Sequence, residues 1–391
     1  MARIALDAMG GDFAPRATVA GALQSLAEIE PAHTIQLVGQ TSVVERELRD
    51  LLAGEFAGQS ARGVRRDRLE IIEAPEIIEM TDKPGVAVRG KPDSSMIVGL
   101  RLQADGKSDA FVSAGNTGAQ MAASMIILKL YKGLKRPAIA TVFPTSRQPV
   151  VVLDSGANVD CSADELTQFA RLGAVYAEDI LGRDNPAVGL LSIGEEPEKG
   201  NAVTKEAHEQ LRASGLNFIG NVEGRDLPAG QCDRGPIDVV VCDGFVGNVM
   251  LKFYEAVAPM MLGILKRAGV EPDRLTAALK DLDYSEHGGA PLLGVRGVSI
   301  ISHGKSSPRA IKNAIRAAVR AVDSHMNEHI GRGLQSVAGE GEAAADLPAA
   351  LFDPPDRRAA VLRHPYQAAA RRQPPARQPG KSDHARLFTR P

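Results

Sequence analysis

The chain has 391 residues, and its 46 basic and 48 acidic side chains leave a formal net charge of -2 at pH 7. A balance this close to zero excludes a nucleic-acid binder that depends on a basic surface field. Cys161, Cys232 and Cys242 form no Cys-x-x-Cys pair, which excludes a disulfide framework and a zinc knuckle. Since no apolar signal core follows Met1 and no apolar run reaches about 20 residues, we expect a reducing, cytoplasmic location.

The first elements alternate between strand and helix. Residues 4–7 predict a strand that enters a Gly10-Gly11 turn, and Pro15 opens a helix. Strands predicted at 34–39 and 69–74, with a helix between them, repeat the pattern and indicate a parallel sheet with right-handed crossovers. Asp7 and Asp12 flank the first turn. They either bind a ligand hydroxyl, a metal or a lysine, or they serve as turn and cap residues.

The stretch from Asp109 to Ala119 predicts a buried strand, a glycine turn at 113–117 and a helix from Gln120 to Lys129. The start of such a helix favours an anion, although a ligand-free connection has the same pattern. The polar segment 75–93 before it is typical of a loop that closes over a site, and its cations either contact an anion or remain solvated.

A basic cluster follows at Lys129, Lys132, Lys135 and Arg136. It either receives an acidic protein or lipid headgroups, or it is a solvated helix end. Residues 138–143 and 150–154 then predict a hairpin, because a short Pro-rich turn joins them.

Three further strands end in small polar residues. Residues 188–193 run into a loop that places Lys199 where a helix begins, and a cation there needs an anionic partner. Residues 217–220 lead into a loop that begins at Asn221, and residues 237–242 lead into a glycine turn between Asp243 and Asn248. In a parallel sheet all carboxyl ends lie on one edge, so we expect these turns to converge on a single cleft.

The segment from about 248 to 290 is apolar and begins Met-rich. It indicates either a core or dimer interface, or a surface for an acyl chain or membrane. A predicted strand at 298–302 then leads to His303. We expect one α/β domain over residues 1–335 and a flexible Ala/Pro/Arg-rich tail over 336–391.

Familiar nucleotide and nucleophile motifs are absent from the sequence. A Walker A motif ending at Gly304-Lys305-Ser306 would need glycine at Ser299, and no dinucleotide fingerprint or nucleophile elbow is present. The glycine-rich and Asn-rich turns, with Lys199 and His303, instead predict a cradle for phosphate or an oxyanion.

An ordered set of motifs resembles the PlsX-type phosphate acyltransferases over residues 1 to about 330. The motifs are Asp7-Ala-Met-Gly-Gly-Asp12, Ser113-Ala-Gly-Asn-Thr-Gly-Ala119, Leu153-Asp-Ser-Gly-Ala-Asn158, Leu190-Leu-Ser-Ile-Gly-Glu-Glu-Pro-Glu-Lys-Gly-Asn201, Phe218-Ile-Gly-Asn-Val-Glu-Gly224, Val241-Cys-Asp-Gly-Phe-Val-Gly-Asn248 and Ser302-His-Gly-Lys-Ser306. The tail departs from the family pattern.

This resemblance implies transfer of a long acyl group from acyl-acyl carrier protein to inorganic phosphate, without a cofactor or metal. It also implies a three-layer α/β/α, mostly parallel, Rossmann-like fold similar to phosphate acetyltransferases and isocitrate/isopropylmalate dehydrogenases. A homodimer at the inner face of the membrane, beside a glycerol-3-phosphate acyltransferase, is implied as well. The alternatives are a short-chain phosphate acetyltransferase that uses coenzyme A and a non-catalytic membrane-associated scaffold.

For this chemistry we predict Lys199, His303, Asn248 and Asp243 as catalytic residues. Lys199 and the Asn116-Thr117 helix start would hold phosphate. Asn248, Asn201 or His303 would donate to the oxyanion, His303 would protonate the thiolate, and Asp243 would orient a cation. The predicted binding residues are Asp7, Gly10, Gly11, Asp12, Ser113, Gly115, Asn116, Thr117, Asp154, Asn158, Gly200, Asn201, Asn221, Glu223, Gly244, Gly247, Gly304 and Ser306. We expect the acyl chain along residues 249–265 and the carrier protein on the basic cluster at 129–136.

Overall fold

Two large β-sheets with helices on both faces, and a two-stranded hairpin within residues 231–236, form the described part of the protein. The computed structural model describes residues 1–57, 66–269 and 288–338. The chain divides into the units Met1–Glu342 and Ala343–Pro391, and the second unit lies outside the described residues. The predicted tail lies almost wholly there too, and its boundary stays a prediction.

The strands alternate with helices along most of the chain, as the sequence predicts. The strands are β1 (Arg3–Asp7), β2 (Thr34–Gly39), β3 (Leu69–Glu73), β4 (Ala110–Ser113), β5 (Ala138–Ile139), β6 (Thr141–Phe143), β7 (Val150–Leu153), β8 (Val188–Leu191), β9 (Phe218–Val222), β10 (Gln231–Cys232), β11 (Gly235–Pro236), β12 (Val239–Val241), β13 (Ala290–Leu293) and β14 (Val298–Ile301). The helices are α1 (Arg16–Leu26), α2 (Thr41–Ala53), α3 (Pro84–Gly90), α4 (Ser95–Ala104), α5 (Thr117–Ile127), α6 (Ala163–Leu181), α7 (Ala202–Arg212), α8 (Asp226–Ala229), α9 (Gly244–Arg267), α10 (Pro308–Asp323) and α11 (Met326–Ala338).

The first sheet has the strand order β3-β2-β1-β4-β14-β13-β5, and the second has the order β6-β7-β12-β8-β9. Strands β1 to β4 and β14 pair in parallel, as do β7, β12, β8 and β9. The sheets are therefore mostly parallel, and the long crossovers that parallel pairs require are supplied mainly by helices.

The segment from Ala138 to Phe143 belongs to both sheets, because Ala140 alone separates β5 from β6. Strand β5 pairs antiparallel with β13, and β6 pairs antiparallel with β7, so the predicted hairpin is confirmed. Since β13 is itself antiparallel to β14, the pairings make the parallel strands of the two sheets run in opposite senses.

The carboxyl end of β7 nevertheless lies at this shared segment. The Ile139 amide donates to the Asp154 carboxylate at 3.0 Å, and Ile139 is paired with Leu292 in the first sheet. The end of β7 therefore returns to the first sheet. The prediction that all strand ends lie on one edge of a single sheet is wrong, because the hairpin reverses the second set of strands.

Alternating side chains divide the core into layers. Ile4 and Leu6 of β1 belong to a cluster that also contains Val151 and Leu153 of β7, so this face is continuous under both sheets. Ala5 and Phe111 belong to a second cluster beneath α3, α4 and α5. A third cluster covers the other face of the second sheet and contacts α9. The predicted three-layer α/β class is confirmed, with the period of two that strands impose.

Several predicted boundaries differ from the structure. The helix expected from Gln120 begins at Thr117, because Asn116 caps it. The polar segment 75–93 contains the short helix α3. Helix α9 continues to Arg267 through Pro259, and by length and composition it is apolar enough to cross a membrane, which the sequence reading did not expect. Residues 270–287 of the predicted apolar segment lie outside the described residues.

Helix α1 packs closely on α10 at Gly21. A Cβ at this position would lie 2.6 Å from Cβ of Ile311 and 2.7 Å from the carbonyl oxygen of Pro308. We expect Gly21→Ala to lower the free energy of unfolding by about 1–3 kcal/mol, because the helices must separate. Chemical denaturation measures this change.

The matched control is Gly85→Ala in α3, where the nearest atom to an added Cβ is the end of the Arg89 side chain at 3.9 Å. Alanine favours a helix over glycine by up to about 1 kcal/mol, so this variant should be neutral or slightly more stable. Equal effects of the two substitutions would contradict the packing argument.

Candidate active site

Asp7 shapes the turn at the end of β1. Its side chain is 2 % exposed and accepts hydrogen bonds from Ser113 Oγ at 2.7 Å and from the Met9 amide at 3.1 Å. Burial raises the pKa of this carboxyl group, while bonds from Ser95 and Ser113 oppose the rise. A Cβ at Gly10 would lie 2.5 Å from Asp7 Oδ2, so glycine lets the turn close over the carboxylate.

The turns after β1 and β14 are bonded to each other. The Asp12 amide donates to the Gly304 carbonyl at 2.7 Å, and Gly11 has φ +110, which favours glycine. His303 is exposed, and its Nδ1 accepts from the Lys305 amide at 3.1 Å. In the neutral ring the proton therefore lies on Nε2, which leaves this nitrogen as a donor.

Asn116 joins the start of α5 to the polar segment 75–93. Its Oδ1 accepts from the Ala119 amide at 3.0 Å, and its Nδ2 donates to the Asp82 carbonyl at 3.0 Å and to the Met80 carbonyl at 3.2 Å. Segment 75–93 is thus bonded to the start of α5, and its closure over a ligand site stays a prediction. The Asn116 side chain is occupied by these bonds, so the exposed Thr117 hydroxyl and the backbone amides of this helix start remain to hold an anion.

Asp154 is the most heavily bonded predicted site residue. Its fully buried carboxylate accepts from the amides of Ile139, Gly156, Ala157 and Asn158 and from Asn158 Nδ2, at 2.6–3.2 Å. Burial raises its pKa, and the N–H donors act in the opposite direction. Asn158 Nδ2 also donates to the Pro137 carbonyl at 2.8 Å. Asp154 therefore organises its loop from within.

Helix α9 docks its first turn on the Asp154 loop through two glycines. A Cβ at Gly244 would lie 2.7 Å from Asp154 Oδ2, and a Cβ at Gly247 would overlap the Asp154 carbonyl oxygen. Asp243 caps the helix by accepting from the Val246 amide at 2.8 Å. Asn248 is exposed at the next position and lies against Gly156. The two glycines allow contact between backbones, and Asn248 is presented beside it.

Lys199 lies on the loop between β8 and α7. It is exposed, and among the described residues its ammonium group forms no ion pair. Gly200 has φ +100, and Asn201 caps α7 by accepting from the Thr204 amide at 2.8 Å. Positive charge at a helix N-terminus opposes the helix dipole, so the position favours an anionic ligand.

Asn221 lies within β9 and Glu223 directly follows this strand, beside the Lys199 loop. Asn221 is fully buried, and its Nδ2 donates to the Glu196 carbonyl at 2.8 Å. Glu223 pairs with Arg225 at 2.7 Å, and its amide donates to Asp226. These contacts are structural, and direct contact with a ligand stays a prediction for both residues.

Two serine hydroxyl groups at strand ends are not among the site residues predicted from the sequence. Ser192 Oγ follows β8 and Ser302 Oγ follows β14, and within the described residues neither buried atom has a hydrogen-bond partner. A buried hydroxyl without a partner costs free energy unless a ligand or water completes it. The available signal was position alone, because both serines come directly after strands that lead into predicted cradle loops. Arg234 and His208, which contact Asn221, were also missed.

Two thiols lie against the Asp154 loop. Cys161 Sγ is 3.7 Å from the Asn158 carbonyl oxygen, and Cys242 Sγ is 3.7 Å from that of Asp154. Burial raises the pKa of Cys161 to about 12 and that of Cys242 well above its ordinary value. Near neutral pH both groups are thiols, and a thiol is a poor nucleophile.

The basic cluster at 129–136 is partly neutralised. Lys135 pairs with Asp164 at 2.9 Å, and Arg136 pairs with Glu165 at 3.2 Å. Lys129 and Lys132 are exposed and form no ion pair with any residue that the structure describes. The attraction of this surface for an acidic protein is therefore smaller than the sequence alone indicates.

Comparison with known proteins decides the family. The model of the family described as "Fatty acid synthesis protein" matches residues 2–329. This chain belongs to that family. A phosphate acyltransferase of Desulfitobacterium hafniense (strain Y51) is 48% identical over 345 residues, which cover 85% of this chain and 98% of the relative. The phosphate acyltransferase of Endomicrobium trichonymphae is 48% identical over 326 residues, covering 80% and 92% respectively.

The family assignment makes this protein an acyltransferase of the phosphate acyltransferase type and confirms the resemblance that the sequence motifs carry. Solved structures of low identity share its fold. EutD phosphotransacetylase from Staphylococcus aureus has a TM-score of 0.53 at 14% identity and covers 82% of this chain and 94% of its own. A phosphotransacetylase from Streptococcus pyogenes has a TM-score of 0.52 at 18% identity, with coverage of 83% and 94%.

Gly247 provides a test of how α9 is docked. We expect Gly247→Ala to lower the free energy of unfolding by about 3 kcal/mol, because the new methyl group must displace either the helix or the Asp154 carbonyl. Thermal and urea unfolding measure the loss. Gly263→Ala in the same helix is the control, since the nearest atom to its added Cβ is the end of Arg267 at 3.6 Å. Unchanged stability of the Gly247 variant would contradict the docking geometry.

Proposed function

We propose that this phosphate acyltransferase transfers a long-chain acyl group from acyl-acyl carrier protein to inorganic phosphate. The products are acyl phosphate, which would serve glycerol-3-phosphate acylation in phospholipid synthesis, and the free carrier protein. The proposal depends on the position of Lys199, which lies just before α7 on a loop held by Asn221. Lys199 is exposed and forms no ion pair among the described residues. A phosphate bound there is neutralised by both the ammonium group and the helix dipole.

The reaction is direct attack by bound phosphate. One phosphate oxygen forms a bond to the thioester carbonyl carbon, and the tetrahedral intermediate expels the carrier thiolate, which takes up one proton. A large fraction of phosphate is dianionic near neutral pH, since its second pKa is about 6–7 by analogy with phosphate esters, so it needs no protein nucleophile. The raised pKa values of Cys161 and Cys242 are consistent with this route, since neither thiol is prepared to form an acyl-enzyme.

The geometry narrows the predicted roles. Asn201 and Asp243 cap helices through their side-chain oxygens, which leaves Nδ2 of Asn201 available as a donor. We assign the oxyanion to Asn248, which is exposed beside the Asp154 loop, with Nδ2 of Asn201 as the alternative donor. His303 would protonate the departing thiolate from Nε2 as an imidazolium, in which Nδ1 also carries a proton and no longer accepts from the Lys305 amide. Backbone amides at Thr117 would supplement Lys199. These groups act by orientation and charge stabilisation, which is what attack on a thioester requires.

Helix α9 supplies the surface for the acyl chain and the membrane. Phe245, Val249, Phe253, Met260 and Ile264 recur at spacings of four and seven and are exposed by 43–65%. The neighbouring Val246, Met250 and Tyr254 pack on the third core cluster, so the exposed stripe faces away from the second sheet. We propose that this stripe contacts the inner face of the cell membrane and that the protein acts there as a homodimer, beside a membrane glycerol-3-phosphate acyltransferase.

The decisive assay supplies palmitoyl-acyl carrier protein and phosphate and follows both free carrier thiol and acyl phosphate trapped as hydroxamate. We expect phosphate-dependent turnover, and Lys199→Ala should lower kcat/KM at least about 100-fold, as expected for loss of a charge-stabilising group. Turnover of acetyl-CoA alone would favour the short-chain acetyltransferase alternative. If neither acyl donor is turned over, or if Lys199→Ala keeps full function in cells, the non-catalytic scaffold alternative would be favoured. A trapped acyl-enzyme would reject direct attack.

Vesicle flotation tests the α9 stripe. We expect Phe253→Glu to reduce binding to phosphatidylglycerol vesicles at least about tenfold, because one aromatic side chain contributes roughly 1.5–3 kcal/mol when buried and the new carboxylate is repelled. Ile126→Glu is the control, since Ile126 is 62% exposed on α5 and Phe253 is 65% exposed on α9. Unchanged flotation would reject membrane contact through this stripe. Dissociation of a dimer by Phe253→Glu, with flotation unchanged, would assign the stripe to the dimer interface.

A further inference from the structure

A chain of hydrogen bonds connects the hairpin β10–β11 to the loop that presents Lys199. Arg234, at the tip of the hairpin, donates through Nη2 to the Glu195 carbonyl and through Nη1 to the Asn221 carbonyl, each at 2.9 Å. The Asn221 side chain donates to the Glu196 carbonyl at 2.8 Å. That same carbonyl accepts the Lys199 amide at 3.0 Å. Arg234 is thus three hydrogen-bond steps from the backbone of Lys199.

Asn221 is itself held in one orientation. Because its Nδ2 donates to Glu196, its Oδ1 is an acceptor, and His208 Nδ1 lies 2.9 Å from it. His208 is buried in α7 and packs edge-on against Phe218 of β9, with ring centroids 5.1 Å apart. The Glu196 carbonyl is therefore fixed by a buried side chain, while the Glu195 carbonyl depends on Arg234.

The site requires an arginine because two carbonyl groups are bonded by one side chain. A guanidinium group presents several N–H donors in a planar fork, whereas an ammonium group acts as a point charge. The backbone beside it is adapted to this approach: Gly220 has φ +94, and a Cβ there would lie 3.1 Å from Arg234 Nη1. Arg234 thus bonds the loop before Lys199, at the Glu195 carbonyl, to the end of β9, at the Asn221 carbonyl. Without Arg234, the bond from the Asn221 side chain to the Glu196 carbonyl would still connect them.

We propose that Arg234 is a positioning residue that holds the Gly194–Lys199 loop so that the Lys199 ammonium group meets the phosphate. This inference rests on the proposed function, because it assigns Arg234 to the same phosphate site. Arg234 acts through the loop backbone and not through its own charge. Without the guanidinium fork, Lys199 keeps its ammonium group but its loop can move. A displacement of about 1 Å can reduce catalysis by as much as 100-fold.

Hydrogen exchange and phosphate kinetics on the full chain test the proposal together. Arg234→Ala should increase amide exchange at residues 194–199 and raise the KM for phosphate about tenfold, while the KM for palmitoyl-acyl carrier protein changes less than about twofold. Arg234→Lys should keep most of the defect, because it restores charge without the fork. Arg147→Ala is the control. Arg147 is an exposed arginine that bonds Gln231 on the same hairpin, and its loss should change neither measurement.

A double-mutant cycle with Lys199→Ala then locates the effect. If Arg234 acts through Lys199, Arg234→Ala should change phosphate kinetics less than about twofold in the Lys199→Ala background. Unchanged exchange at 194–199 in Arg234→Ala overturns the inference and leaves the proposed function intact, as does full rescue by Arg234→Lys. A kinetic defect that persists undiminished without Lys199 also overturns it. A normal phosphate KM in Lys199→Ala alone refutes the phosphate role of Lys199, and the inference fails with it.

Discussion

The fold around the candidate site depends on the buried carboxylate of Asp154. Four backbone amides and one side-chain amide converge on it, from β5, from its own loop and from Asn158. These bonds offset the cost of burying the carboxylate, which would otherwise be several kcal/mol. One carboxyl group thereby joins the segment shared by the two sheets to the loop against which the first turn of α9 packs. This connection holds the carboxyl end of β7 against β5, which is paired with the first sheet.

The glycines of the site have two separate physical roles. Gly10, Gly244 and Gly247 remove side chains where backbone must approach a carboxylate or a carbonyl. Gly11 and Gly200 instead adopt positive φ in turns between a strand and a helix. Neither role requires contact with a ligand. The same pattern that indicates a phosphate cradle is therefore also what allows these loops to pack. In the proposed mechanism the chemistry rests on the few side chains that remain exposed, above all Lys199 and Asn248.

Lys199 presents an exposed ammonium group on a loop whose backbone is held by buried hydrogen bonds. Beneath it, Asn221 and His208 form a buried polar pair that is bonded to the loop backbone, and such networks fix geometry when every member has a partner. Above it, the ammonium group reaches solvent without a competing carboxylate among the described residues. If phosphate binds at Lys199 as proposed, a cation held in this way would need little reorganisation, which is how preorganised charge lowers a reaction barrier.

The sequence by itself determined the α/β class, the alternation of strands and helices, the hairpin at 138–154 and the family. Hydrophobic period, turn residues and motif order are local properties, and each can be read without knowing what packs against it. Tertiary structure decided the rest. The reversal of the second sheet, the ion pairs of Lys135 and Arg136, the use of Asn116, Asn201 and Asp243 as caps, and the position of Arg234 beside Asn221 all depend on segments distant in sequence. A residue type limits which bonds are possible, but only the folded chain determines which of them are formed.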